Sequence, residues 1–275
     1  MKMLRMKSVM AGIFLFLLPL VVSSQMFLLE DLPMNKMKIG LRYLRPDYKG
    51  EDGLSLLSGV YDFSLSIPLS SKLNIVGSIP FAALGGDRAD DWEGSIGNIY
   101  VGLQQRLNSS PVNYFYASLG AFLPTMPDDK AGPAIFNLFS EYYHLQKFFP
   151  NELTIYGNLA YHHIKEKDFI LGGEIGPNIM IPTKDGGDVE IFIHYALSAG
   201  YRLDYVDCKV ELLGLGIITE DVDEDEDRFI HDLAFGVYWN RGKVRPGVFY
   251  KIYLNESLRE SISGVIGLKL EVILQ

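Results

Sequence analysis

From Leu57 to Ile67 the chain alternates, with Leu57, Tyr61, Phe63, Leu65 and Ile67 on one side and Ser58, Asp62, Ser64 and Ser66 on the other. A period of two belongs to a β-strand with one apolar and one polar face. The pattern returns at Leu73–Ala82, Ile96–Arg106, Tyr114–Leu123, Leu153–Ile164, Phe169–Ile181, Val189–Tyr201, Asp207–Ile218, Phe229–Asn240, Val244–Leu254 and Ser263–Leu274, with a weaker start at Met37–Tyr43. The count is twelve. At about 10 to 13 residues each, these strands exceed the five or six residues typical of soluble sheets and match what a tilted strand needs to cross a bilayer. Short connections such as Pro68–Lys72, Asn108–Asn113 and Asn240–Lys243 carry the residues of tight turns. The pattern predicts an all-β fold, an antiparallel up-and-down transmembrane β-barrel of about 12 strands.

The last strand sets the sidedness. Ile266, Leu268, Leu270, Val272 and Leu274 alternate with Gly267, Lys269 and Glu271, so the apolar set is expected to face lipid and the polar set the lumen. A soluble barrel would invert this. Aromatic residues near strand ends, including Tyr43, Phe81, Tyr114, Phe148, Phe149, Phe169, Tyr201 and Tyr253, fit interfacial girdles, although aromatics are good strand formers anyway.

The stretch Ala134–Lys147 breaks the count. Ile135, Leu138, Phe139, Tyr142 and Leu145 recur at three- and four-residue spacing, which reads as a helix, while a thirteenth strand would violate the evenness of single-chain barrels. Leaving it out makes Thr125 to Asn151 one long outer connection able to fold into the mouth or lumen; an irregular strand is the alternative. The other outer connections are Arg45–Gly53, Gly85–Gly94, Pro182–Gly187, Glu220–Asp227 and Asn255–Ser261, mostly polar and often acidic.

Residues 1–24 carry Lys2, Arg5 and Lys7, then an apolar run from Met10 to Val22 ending in Ser23 and Ser24. This is the build of a cleaved secretory signal. A short periplasmic lead, 25–35, and a barrel, 36–275, would follow. Formal net charge is −9 for the 275 residues, and removing the three signal cations takes it to −12. So acidic a chain lacks the basic footprint for nucleic acid. The single Cys208 excludes an internal disulfide or a thiolate cluster.

Candidate chemistry is sparse. Glu220–Asp227 holds seven carboxylates in eight positions, but Glu226 stands where an EF-hand needs glycine, so Asp221, Asp223 and Asp225 are only weak cation ligands. With Asp87, Asp90, Asp91 and Glu93, this loop is expected to disfavour anions at the mouth. The five histidines, His144, His162, His163, His194 and His231, show no metal-ligand spacing. His194 and Ser198 share a strand face, yet four residues along a strand is about 13 Å, beyond hydrogen-bond reach. Inward parity nominates Asp62, Asn98, Tyr100, Tyr156, His162, Glu190, His194, Lys209, Glu211, Lys269 and Glu271 as pore-lining residues of a wet, mixed-charge lumen.

Ser78-Ile-Pro-Phe81, the acidic loop after it and Gly94–Arg106, with the later Leu153–His162, resemble strands of the outer-membrane family of MetA-pathway phenol-degradation proteins. That family typically has an acidic residue where this chain has Asn98. The resemblance implies a barrel of roughly twelve strands that moves small, aromatic molecules, and carries no catalytic residues. The expected function is passage of small, hydrophobic or aromatic solutes across a bacterial outer membrane. It needs no cofactor and no nucleic acid; its partners are the lipid bilayer, the solute and, during biogenesis, the barrel-assembly machinery. A closed surface-binding barrel and a lipid-modifying barrel enzyme are the alternatives.

Overall fold

A computed structural model describes residues 28–29, 35–49, 55–86, 92–108, 110–165, 167–184, 186–219 and 227–274. The expected signal at 1–24 therefore lies outside the described residues, as do most of the 25–35 lead, Asp87, Asp90, Asp91, and the acidic run through Asp221, Asp223 and Asp225.

The alternation becomes a closed antiparallel barrel of twelve strands. They are β1 (Lys38–Tyr48), β2 (Gly59–Pro68), β3 (Leu73–Leu84), β4 in two pieces (Glu93–Ile96 and Ile99–Arg106), β5 (Asn113–Leu123) and β6 (Glu152–Ile164). β7 (Phe169–Pro182), β8 (Glu190–Arg202), β9 (Val206–Ile217), β10 (Phe229–Trp239), β11 (Val244–Tyr253) and β12 (Ile262–Ile273) complete it. Each strand pairs with its sequence neighbours, and β1 closes on β12 from Lys38↔Ile273 to Tyr48↔Ile262. Closure leaves no edge, which lets a sheet span a membrane with its backbone polar groups satisfied. Among the described residues, no helix is long and apolar enough to cross a membrane.

Sidedness follows the sequence. Ile266, Leu268 and Leu270 are exposed on the outer surface, whereas Gly267 and Glu271 are buried inside. Around the rim where β1 begins and β12 ends, the terminal rim, exposed rings pair as Phe169 with Tyr201 and Tyr205 with Trp239, both with centroids 5.5 Å apart. Towards the far rim, Tyr43 packs on Tyr61, and Tyr61 on Phe81. Three rings expected in these girdles lie elsewhere. Phe148 and Tyr253 are buried inside, and Tyr114 has inward parity, its ring under the Arg106 guanidinium at 4.6 Å.

The ambiguous stretch is helical. Ala131–Leu138 forms α1, and Tyr142–Lys147 forms a 3-10 turn kinked at His144. Both belong to a strap, residues 126–149, that enters the barrel from the far rim. Leu138, Leu145 and Phe148 of the strap pack with Leu44, Val60, Leu213 and Leu215 of the wall. The far part of the lumen therefore holds an apolar cluster, since parity places Leu213 and Leu215 inside, beside buried charge such as the Lys251–Asp232 pair at 2.7 Å. A second helix, α2 (Glu256–Ser261), occupies the β11–β12 connection.

Candidate functional site

The strap is held by polar contacts with wall strands spread around the circumference. Glu141 pairs with Arg42 of β1. Lys147 Nζ lies 2.6 Å from Asp62 Oδ2 of β2 and 3.1 Å from Glu141 Oε1, while Arg42 also donates to Asp62 at 2.9 Å. Two cations thus face two carboxylates, all buried. Tyr143 donates its hydroxyl to Glu174 of β7 at 2.9 Å, and Tyr253 of β11 donates to the Phe139 carbonyl.

Burial beside two cations and His144 keeps Glu141 charged; although desolvation opposes ionisation, Arg42 and Lys147 hold its carboxyl well below the usual range. Desolvation pushes His144 down to about 4, with Lys147 adding to the effect and the contact to Glu141 opposing it. At neutral pH His144 is an uncharged ring whose Nδ1 lies 2.9 Å from Glu141 Oε1.

Asn98 departs from its expected role. The sequence reads an unbroken strand from Ile96, but β4 breaks at Gly97-Asn98, and the break turns Asn98 towards the strap. Its Nδ2 donates to the carbonyls of Gln146 and Phe149 at 2.9 and 2.6 Å, and its Oδ1 accepts from the Met126 backbone at 3.1 Å. Asn98 brackets both ends of the strap rather than lining open space. Gly97 makes room for this: a Cβ there would stand 2.3 Å from the Lys147 carbonyl oxygen.

Between strap and terminal rim lies a cavity of about 160 Å³. Along one wall Tyr100 packs on Phe122, centroids 4.7 Å apart, and meets Tyr156 edge-on at 5.8 Å. Gly102 and Gly120 admit the Tyr100 ring against the wall, since a Cβ on either would strike it. The opposite wall is polar, with Gly40, Ser64, Ser66 and Ser78; Arg42, Asp62 and Lys147 stand at the strap end with Lys269, the cross-strand partner of Arg42, and Lys38 and Glu271 lie nearer the terminal end. Leu28 and Leu29, part of the expected periplasmic lead, are buried inside the barrel beside it, and the Leu28 N–H donates to Glu211 Oε2 at 2.9 Å.

The remaining nominated residues face inward. His194 stacks on Tyr156 at 4.8 Å, its ring nitrogens near Asn178 Oδ1 at 3.2 Å and Asn158 Oδ1 at 3.4 Å. His162 Nε2 lies 3.1 Å from the Tyr116 hydroxyl. Lys209 is buried, 5.8 Å from the Tyr238 ring centroid. Glu271 meets Lys38 at 3.8 Å, the cross-strand partner that Lys269, two residues away on its own strand, cannot be. Glu190 sits half-buried at the far rim. Ser198 lies not with His194 but near His162: a Cβ at Gly172 would meet His162 Nδ1 at 2.3 Å and Ser198 Oγ at 2.5 Å. Among the described residues, no group of three or more histidine, cysteine or acidic side chains is placed to hold a metal.

The sequence reading missed Arg42, Glu141, Lys147, Glu174, Arg202, Asp207 and Arg245. Arg42, Asp207 and Arg245 were visible as polar residues on the inward parity of their strands; Glu141 and Lys147 gave no signal, since a loop has no parity.

Comparisons with known proteins agree on the fold. An outer-membrane channel from Pseudomonas putida F1 superposes with a TM-score of 0.61 at 14% identity, over 89% of this chain and 97% of that one. The NanC porin gives 0.52 at 8% identity, over 87% of this chain and 99% of that one. This is the outer-membrane β-barrel fold expected from the alternation. A scan of protein-family models finds no match, and neither does a search of the curated proteins.

Proposed function

We propose that this protein is a bacterial outer-membrane channel for small solutes of hydrophobic or aromatic character, not an enzyme. The observation that carries the reading is the cavity, with rings along one wall and hydroxyls and charges along the other, inside a barrel whose outer face is apolar. Its volume is close to that of a buried site of ~150 Å³ that accommodates benzene, so the solute is of single-ring size.

In this reading residues 1–24 are a cleaved signal, 25–35 the lead, and 36–275 the barrel, inserted by the barrel-assembly machinery with its terminal rim towards the periplasm. The nominated lining residues other than Asn98 meet the solute on its way through. The resting channel is shut at the far side by the strap and narrowed at the other by Leu28 and Leu29. Passage therefore requires the strap to swing out of the lumen, which breaks its polar attachments and the packing of Leu138, Leu145 and Phe148 on the wall.

Proteoliposome swelling tests this. Liposomes holding folded mature protein are expected to swell in isosmotic arabinose and not in raffinose. Swelling no faster than in protein-free liposomes, with folded barrel verified by its heat-dependent gel mobility, would contradict a channel.

A further inference from the structure

The two exposed ring pairs of the terminal rim differ in the charge beside them. Next to Phe169 and Tyr201, the β6–β7 turn, Lys165–Asp168, is neutral in sum. Its lysines each have a carboxylate: Lys165 Nζ lies 2.8 Å from Asp168 Oδ2, and Lys167 Nζ lies 3.0 Å from Asp204 Oδ1. Next to Tyr205 and Trp239, the β10–β11 turn, Asn240–Lys243, carries two cations and no carboxylate. Among the described residues, neither Arg241 nor Lys243 enters an ion pair; the Arg241 guanidinium lies instead over the Tyr205 ring, 4.6 Å from its centroid.

This arrangement is held from below. Asn240 ties the β8–β9 and β10–β11 turns together, its backbone N–H donating to the Tyr205 carbonyl at 2.9 Å and its Nδ2 to the Leu203 carbonyl at 3.0 Å. Val206 is the cross-strand partner of Trp239, which sets Tyr205 beside the indole. Tyr205 and Trp239 are exposed, whereas Tyr238 and Asn240, the chain neighbours of Trp239, are buried inside. The rings and the guanidinium stacked on them therefore lie on the outer side of the wall, not over the lumen. Tyrosine and tryptophan sit at the headgroup level of a bilayer. A guanidinium stacked by its face keeps its N–H groups free at its edge, in the fork that matches paired phosphate oxygens. Lys243 adds a second cation to the same turn, and each cation at this level favours an anionic lipid surface.

We propose that Tyr205, Trp239, Arg241 and Lys243 form a binding site for the phosphate headgroup of an anionic phospholipid, in preference to a zwitterionic one. The acyl chains lie along the exposed apolar strip of Val237, Val244 and Val248 on β10 and β11. The site rests on the channel reading only for its side of the membrane: with the terminal rim towards the periplasm, the lipid belongs to the periplasmic leaflet.

Native mass spectrometry of the folded mature protein, released from detergent after mixing with equal amounts of phosphatidylglycerol and phosphatidylcholine of identical acyl chains, tests the site. The first bound lipid is expected to be phosphatidylglycerol by at least about fivefold, the weight of one cation at an anionic surface. Arg241→Gln with Lys243→Gln is expected to bring the ratio to about one, and Lys165→Gln with Lys167→Gln, beside the other ring pair, to leave it unchanged. A wild-type ratio near one, or a preference that survives in the first double variant, overturns the proposal. Displacement of the lipid by an equal concentration of inorganic phosphate would mark a site for the free anion and overturn it too. Should the double variant not fold, Arg241→Gln alone is read in the same way. Failure of the channel reading is distinguishable, because headgroup preference is read in detergent without solute passage: a barrel that passes nothing keeps the preference, and a barrel without the preference still passes solute.

Discussion

Lys147 of the strap places its Nζ 2.6 Å from Asp62 Oδ2 on β2, 85 residues earlier in the chain. With Arg42 and Glu141 this contact forms a buried latch, and removing one member leaves an unpaired charge, a loss of about 3–5 kcal/mol in buried pairs. Lys147→Met is therefore expected to free the strap while sparing the barrel wall. Limited proteolysis of folded protein should show faster cleavage between 126 and 149 than in wild type, with unchanged heat-dependent gel mobility. Unchanged cleavage would mean that the apolar contacts of Leu138, Leu145 and Phe148 hold the strap alone.

The latch should weaken in acid. His144, pushed down to about 4 by burial, is uncharged in the latched strap, whereas in a released strap it titrates near 6.5. A depressed histidine means that the released state binds the extra proton. Latching is thus fully stable above about pH 6.5 and loses stability as pH falls towards 4. The loss over that interval is roughly 3 kcal/mol. Glu141 adds in the same direction at lower pH: its depressed value favours latching above the ordinary carboxylate range and loses that contribution below it. Channel open probability should rise between pH 6.5 and 4, and His144→Phe should flatten the rise above the carboxylate range. A wild-type profile flat over that interval would contradict the assignment.

Gly97 tests the bracket formed with Asn98. Gly97→Ala drives a methyl group against the Lys147 carbonyl and the Pro80 ring, overpacking that typically costs 1–3 kcal/mol. Gly132→Ala, where nothing lies within 4 Å, is the control. Proteolytic release of the strap should accelerate in the first variant and not in the second.

Leu119, exposed on the outer face of β5 and paired with Leu103 and Gly157 near mid-strand, reports on the lipid belt. Leu119→Arg is expected to lower unfolding stability in liposomes by about 2–4 kcal/mol, the cost of a cation at the bilayer midplane. A change within experimental error would place this surface outside the hydrocarbon.

The strands were legible because a barrel repeats one constraint along its length: alternate residues face lipid and lumen, so Leu268 and Lys269 declare their sides directly. That constraint stops where the strands stop. The strap's helical spacing from Leu138 to Leu145 signalled a turn of helix without saying where it packs, and the break at Gly97 turned Asn98 from a lining residue into a bracket. Charge was legible in amount but not in effect. Lys209, Glu211, Lys269 and Glu271 all appeared as inward residues of mixed sign; what each of them meets depends on contacts such as Lys38 with Glu271 and the Leu28 backbone with Glu211, neither of which parity reveals.

Single-channel conductance of the folded mature protein in a planar bilayer, under a potassium chloride gradient, tests the central claim most directly. The account predicts discrete steps that become more frequent below pH 6 and in Lys147→Met. Verified insertion without conductance at any pH, in wild type and in the unlatched variant alike, would contradict it.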